Sequence, residues 1–144
     1  MTATVTVRAA VPADADAVFV LLSGFATSHR PERSLFDRHF PLLLSGRHGG
    51  LLVAEDEGVV VGYALVHDLL VLYANGYVCE LQELMVDPAW RGRGVGERLV
   101  RAVVERGRGL GAVEVTVPTR RARDYYVRLG FEETATYLKR PLLG

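Results

Sequence analysis

A β-type run, Glu80-Leu81-Gln82-Glu83-Leu84-Met85-Val86, is followed within a few residues by Arg91-Gly92-Arg93-Gly94-Val95-Gly96 and then by the helical pattern of residues 97–106. Few architectures accept that order. A strand that feeds a helix through a glycine turn leads back along the sheet, so a second, parallel strand is expected across a right-handed crossover. The turn also has a chemical consequence. The first N–H groups of a helix lack backbone partners and its dipole adds roughly half a positive charge, so an anion is stabilised there. The three glycines place no Cβ between that anion and the backbone.

Two common phosphate signatures fail against these letters. A dinucleotide fingerprint requires a third glycine where Glu97 stands. A P-loop requires Gly-Lys-Ser/Thr, and the one lysine of the chain is Lys139.

The remaining segments read as alternating strands and helices. Residues 4–9 form a strand, and Pro12 introduces a helix carrying Val18, Leu21, Leu22 and Phe25 on one face. Ser34-Leu35-Phe36-Asp37 has the capping-box form before a second apolar stripe of Phe36, Phe40, Leu43 and Leu44, which Pro41 is expected to kink or shorten. Residues 26–50 are expected to be the least regular part. Residues 51–55 and 59–66 are strands of an antiparallel hairpin turning at Asp56-Glu57-Gly58. Residues 68–76 connect to the strand 77–86, and the helix after the glycine turn presents Val95, Leu99, Ala102 and Val103 and ends at Gly107, Gly109 and Gly111. Residues 112–117 give the parallel strand, 120–129 a helix closed by Gly130, and a last strand pair follows from Phe131, centred on 136–140. The simplest account is one mixed-sheet α/β domain over residues 1–144.

Composition limits the partners. Lysine plus arginine and aspartate plus glutamate both number 17, so no global field draws the chain to nucleic acid or to anionic lipid, and neither is expected as a partner. No apolar run approaches the roughly 20 residues that span a bilayer, and the N-terminus has no signal-peptide pattern, so a cytoplasmic location is expected. A lone cysteine, Cys79, excludes an internal disulfide and reads as a small core residue. His29, His39, His48 and His67 lack metal-ligand spacing, so no metal is expected.

The pattern R-x-x-G-x-G, here Arg91, Gly94 and Gly96 preceded by Leu84-x-Val86-x-Pro88, resembles the acyl-CoA signature of the GNAT N-acetyltransferase superfamily. Three other places are similar to that family: Val7-Arg8-Ala9-Ala10-Val11-Pro12-Ala13-Asp14, Val60-Val61-Gly62-Tyr63-Ala64, and Ala122-x-x-Tyr125-Tyr126-x-x-x-Gly130-Phe131. The resemblance runs from end to end of the chain. It implies a GNAT-like α/β fold: a mixed, mostly antiparallel central sheet with one splayed parallel strand pair and helices on both faces. It also implies acetyl-CoA as co-substrate, with Arg91, Gly92, Arg93, Gly94, Val95 and Gly96 cradling its diphosphate and Leu84, Met85 and Val86 running beside its pantetheine arm. Thr119 stands where the family often has asparagine and is carried over as a cofactor contact. From the basic stretch Arg120, Arg121, Arg123 and Arg128, Arg128 is taken as a contact for the adenosine 3′-phosphate. Tyr126 matches the family tyrosine that lies beside the coenzyme sulfur and protonates the departing thiolate, with Tyr125 as its rival.

Transfer to an amine requires a base, an oxyanion partner and an acid. An alkylamine with a pKa of about 10.4 is free base only to the order of one part in a thousand at pH 7, so a carboxylate near the thioester is needed. Glu80 and Glu83 both lie on the strand before the cradle, and strand alternation puts them on opposite faces unless a bulge intervenes. At most one of the two is expected to serve. By resemblance, Glu80 stands where the histone-acetylating branch keeps its glutamate and Glu83 where the polyamine-acetylating branch has an acidic residue. Backbone N–H groups of Leu84 to Val86 can meet the oxyanion if the neighbouring strand splays away from them.

The expectation is therefore an acetyl-CoA-dependent N-acetyltransferase that moves acetyl directly to a primary amine of a small molecule or protein. The acceptor would be bordered by residues 26–50, residues 68–76 with Asp68, and the C-terminal strands. A coenzyme-A-binding sensor or partner module is the alternative, and an arginine-rich nucleic-acid binder using residues 120–128 is a third. Acceptor identity, acyl length and assembly as a homodimer stay open at this level.

Overall fold

The computed structural model describes residues 4–25 and 29–143. In chain order it contains β1 (Val5–Ala9), a 3₁₀ turn at Pro12–Asp14, α1 (Ala15–Ser23), α2 (Arg33–Leu44), β2 (Gly49–Asp56), β3 (Val59–Val71), β4 (Gly76–Val86), a 3₁₀ turn at Pro88–Trp90, α3 (Val95–Leu110), β5 (Glu114–Thr116) and α4 (Arg123–Arg128). The strands form one five-stranded sheet in sequential order, antiparallel except for the parallel pair β4–β5 that α3 connects. The β2–β3 hairpin turns through Glu57 and Gly58, both at positive φ, the geometry that matches the twist of the flanking strands.

Apolar alternation splits between two cores. Val5, Ala54, Val61, Ala64, Val66, Cys79 and Leu81 face α3, whose buried residues include Val95, Leu99 and Val103. Val53, Tyr63, Leu65 and Met85 face the opposite side, where Val18 and Leu21 of α1 and Phe40 of α2 cover them. Helices thus lie on both faces of a mixed sheet. At Gly62 an added Cβ would stand 3.0 Å from the Met85 carbonyl oxygen and 3.1 Å from Leu99 Cδ1, so glycine lets α3 settle onto the sheet.

The elements differ from the sequence reading in several places. Helix α2 starts at Arg33, ahead of Ser34, because the Arg33 guanidinium bonds Asp16 and Asp37 and lies over the rings of Phe19 and Phe36. It runs through Pro41 to Leu44, since proline removes one helical hydrogen bond while the stripe Phe36, Phe40, Leu43 and Leu44 stays packed on the core. Residues 26–50 are accordingly more regular than expected, although 26–28 lie outside the described residues. Gly107 and Gly109 sit inside α3, and only Gly111, at φ 75°, ends it, through N–H bonds from Gly111 to Arg108 O and from Ala112 to Gly107 O. Helix α4 spans just Arg123–Arg128. Finally, no strand forms after Phe131 among the described residues: Tyr137 and Leu138 are 69% and 86% exposed, and the outer strand β5, three residues long, offers little edge to extend.

A further difference concerns Asp68. Within residues 68–76 only 72–75 form a turn, because β3 continues to Val71 and Asp68 pairs with Cys79 on the α3 side. There both carboxylate oxygens accept from Arg106 at 2.7 Å, and the Cys79 thiol, pushed up to about 11 by burial and the carboxylate, donates to Asp68 at 3.3 Å. Asp68 is therefore occupied by Arg106 and the Cys79 thiol and is not presented to an acceptor amine. The bond from Arg106 holds the Asp68 carboxyl below its ordinary range. A depressed carboxylate stabilises the fold above its unfolded pKa of about 3.9 and loses that contribution as pH falls through the folded value. We expect Asp68→Asn to cost about 2 kcal/mol at pH 7 by urea titration, with the gap to wild type closing as the pH falls below about 4. No helix among the described residues is long and apolar enough to cross a membrane.

Candidate functional site

The parallel strands part company early. β5 pairs with β4 only at Val78↔Glu114, Cys79↔Val115 and Glu80↔Thr116, so β4 runs from Leu81 to Val86 with no strand on its outer side. Asp87 N–H donates to Val61 O across β3. Strand alternation then directs the N–H and C=O of Leu84 and Val86 to the open side. Consistently, the Val86 carbonyl accepts from Arg91 Nε at 3.3 Å. Met85 is not brought to that edge: its backbone turns to β3 and its side chain, 7% exposed, enters the α1–α2 core.

The free edge leads into the glycine turn. Gly92 and Gly94 have φ of 76° and 82°, and a Cβ at either would meet nothing within 4 Å, so the left-handed turn faces open space. Gly94 is the N-cap of α3, and no side chain caps the helix. Its first backbone bond is Arg98 N–H to Gly94 O, leaving the Val95, Gly96 and Glu97 amides without helical acceptors. Arg93 lies over the Trp90 ring at 4.8 Å, while Arg91 and Arg93 are exposed at the turn. A Cβ on Gly96 would stand 2.5 Å from the Tyr125 hydroxyl, so the third glycine admits that tyrosine beside the helix start.

Tyr125 and Tyr126 separate as neighbours on a helix must. Tyr126 packs its ring edge-on to Tyr125 and to Phe131 within the α3 core and is 7% exposed. Neither hydroxyl makes a hydrogen bond among the described residues, and no buried polar side-chain atom there lacks a partner, so the Tyr126 oxygen reaches open space. Burial pushes the Tyr126 phenol up to about 12 and raises that of Tyr125. Thr119 Oγ1 accepts from Ala122 N–H at 3.0 Å, closing the turn before α4. Arg128 is exposed in the last turn of α4 near Tyr125, whereas Arg123 is held by Asp124 and Glu133.

The two carboxylates lie on one face, against the simple alternation expected of them. β3–β4 pairing shifts from Leu65↔Glu83 to Val66↔Leu81, so Gln82 is an extra residue in β4. Cys79 and Leu81 before it and Leu84 and Val86 after it all turn to α3. Glu80 and Glu83 therefore both point to the α1–α2 side. Glu80 accepts from Thr116 Oγ1 at 3.3 Å and from the Gln82 amide. Glu83 accepts from the Tyr63 hydroxyl at 2.7 Å. Burial, reinforced by the Glu83 carboxylate, keeps the Tyr63 phenol protonated far above its ordinary range, so it acts as a fixed donor.

Glu83 and Tyr63 form part of the wall of a cleft of about 320 Å³ between the sheet and the α1–α2 pair. Sequence reasoning missed both this cleft and Tyr63. Tyr63 carries no local mark, because its partner lies 20 residues away across a strand pair. The bulge did leave a trace: apolar positions change parity from 79 and 81 to 84 and 86.

The sequence matches the acetyltransferase (GNAT) family over residues 15–131. It is 31% identical over 120 residues to an uncharacterized N-acetyltransferase of Methanocaldococcus jannaschii, covering 80% of this chain and 53% of that protein. It is 38% identical over 87 residues to glucosamine 6-phosphate N-acetyltransferase 1 of Oryza sativa subsp. japonica, covering 58% of this chain and 53% of that protein. The chain thus spans about half the length of these relatives. Its fold superposes on a crystallised aminoglycoside N-acetyltransferase, AAC(6′)-Iy in complex with CoA, with a TM-score of 0.84 at 21% identity over 96% of this chain and 94% of that one.

Proposed function

Because this chain belongs to the GNAT acetyltransferase family, we propose that it moves an acetyl group from acetyl-CoA directly onto a primary amine, using the open edge of β4 for the coenzyme and its α1–α2 face for the amine. One observation carries this reading: the unpaired β4 edge is joined to the uncapped start of α3 by the short segment 87–94, with its exposed glycine turn. Unpaired backbone groups and free helix amides are acceptors and donors awaiting a ligand. An extended amide-bearing arm that ends in a diphosphate answers both. Leu84 and Val86 would pair with the arm, and the amides of Val95 and Gly96 with Arg91 and Arg93 would hold the diphosphate. Arg128 and the remaining hydroxyl donor of Thr119 are further candidate contacts.

Acetyl-CoA supplies an activated acyl group on a thiol leaving group; the chain supplies proton handling and placement. Glu83 takes the proton of the incoming ammonium, since it lines the cleft and is held by a neutral donor. Glu80, on the same face, stands at the point where β5 departs and is the reserve base. The amine nitrogen then bonds the thioester carbonyl carbon, the carbon–sulfur bond breaks, and the Tyr126 hydroxyl gives its proton to the sulfur. Outward N–H groups of Leu84 and Val86 face the developing oxyanion.

The test is thiol release from acetyl-CoA with a panel of primary amines, after calorimetry has measured acetyl-CoA binding. Amine-dependent release is expected, and Glu83→Gln is expected to lower kcat/KM about tenfold at pH 7, a modest loss because Glu80 substitutes in part. The deficit should shrink toward pH 10, where solution supplies the free amine. Binding without release for any amine would instead favour a coenzyme-A-binding module.

A further inference from the structure

The cleft that holds Glu83 has a character of its own. Its walls are Val18 and Leu22 of α1, Leu35, Phe36 and Leu43 of α2, and Leu65 of β3, with Glu83 set into the sheet side. Arg30, Glu32 and His39 also border it, all three exposed. Its volume of about 320 Å³ lies at the small end of the range for organic ligands. A single carboxylate within apolar walls pairs one ammonium group and desolvates whatever the ammonium is attached to.

We infer that the acceptor is a primary amine on a compact apolar body, an arylalkyl or short alkyl amine with one cationic group. The inference rests on the transfer reading above for its chemistry and on the cleft alone for its ligand class. A sugar phosphate would lose hydration of several hydroxyls and a dianion against leucine and phenylalanine walls, since the donors Arg30 and His39 stand exposed at the border. A polyamine would place its second ammonium beside the same apolar walls, because the second acid, Glu32, stands exposed at the border and not among them. An apolar body loses nothing on that transfer and gains from area removed from water.

The experiment compares 2-phenylethylamine and hexylamine with putrescine and glucosamine 6-phosphate, using wild type and Leu35→Trp. Leu35 is 42% exposed, so the larger side chain can fold while it fills the cleft. Two readouts are taken: thiol release, and calorimetric binding of the same amines to the protein saturated with coenzyme A. The expected result is kcat/KM at least about 30-fold higher for the two apolar amines than for the two polar ones. Leu35→Trp should raise KM for the apolar amines at least about tenfold and leave acetyl-CoA KM in place. Preference for either polar amine, or an unchanged amine KM in Leu35→Trp, would overturn the acceptor class while transfer stands. Apolar amines that bind, and are expelled by Leu35→Trp, but release no thiol would overturn transfer and keep the cleft's ligand class. Neither binding nor release would sink both.

Discussion

Gly94→Val should raise the dissociation constant for acetyl-CoA about 100-fold or more, an effect of roughly 3 kcal/mol. Two causes combine at this residue. Gly94 holds φ at 82°, where a β-branched side chain is strained by about 1–2 kcal/mol. Its Cβ would also project into the open space ahead of α3, where the proposed diphosphate meets free amides. Strain alone would lower stability without selecting for the ligand, so the control must carry the same strain elsewhere. Gly58 provides it: the same φ of 82°, the same open space around an added Cβ, and a place in the β2–β3 turn instead of at a helix start. Both valine variants should lose a few degrees in Tm, on the order of 3–8 °C. Only Gly94→Val should lose acetyl-CoA in calorimetry. Equal affinities in the two variants would mean that no anion sits at the start of α3.

What the letters disclosed and what they hid follow a physical division. The glycine turn, the helix after it and the β2–β3 hairpin were readable because each is fixed by residues close in sequence: positive φ at Gly94 and Gly58, and apolar spacing along α3. The two-faced sheet followed from strand, crossover and parallel strand. Features decided by contacts at long range did not. Asp68 looked like a loop carboxylate because nothing nearby announces Arg106, which reaches it from a helix 38 residues on. Arg33 opened α2 early by contacts to Asp16 and Phe19 on another helix. The C-terminal strands were read from alternation that the sheet leaves unused, since β5 ends at Thr116. The face of Glu83 turned on one extra residue, Gln82, and reading its neighbours as strictly alternating would have placed the two carboxylates apart. The bulge matters beyond register. It leaves the α3 side of β4 apolar and sends both acids to the α1–α2 side, where Glu83 lines the cleft, so this base and the acceptor's walls share one compartment.

Removing one oxygen from Tyr126 should lower kcat about 100-fold while acetyl-CoA KM and stability hold nearly constant. The ring supplies the packing: it sits edge-on to Tyr125 and Phe131 inside the α3 core, and phenylalanine fills the same volume. The hydroxyl makes no hydrogen bond that Tyr126→Phe would break, so little stability is at stake. What is lost is a proton donor aimed at open space. Its proton is available over a wide range, because burial pushes the phenol up to about 12, and an acid stays loaded below its pKa. The ratio of wild-type to variant kcat should therefore stay flat from pH 7 to pH 10, whereas a phenol titrating near its ordinary value of about 10 would begin to lose the advantage at the upper end. Tyr125→Phe separates the rivals. Its hydroxyl lies against Gly96 at the start of α3, so that variant should weaken acetyl-CoA binding by a few-fold and leave kcat within about threefold. A large kcat loss in Tyr125→Phe with none in Tyr126→Phe would exchange their roles, and no kcat loss in either would leave the departing thiolate without a protein acid.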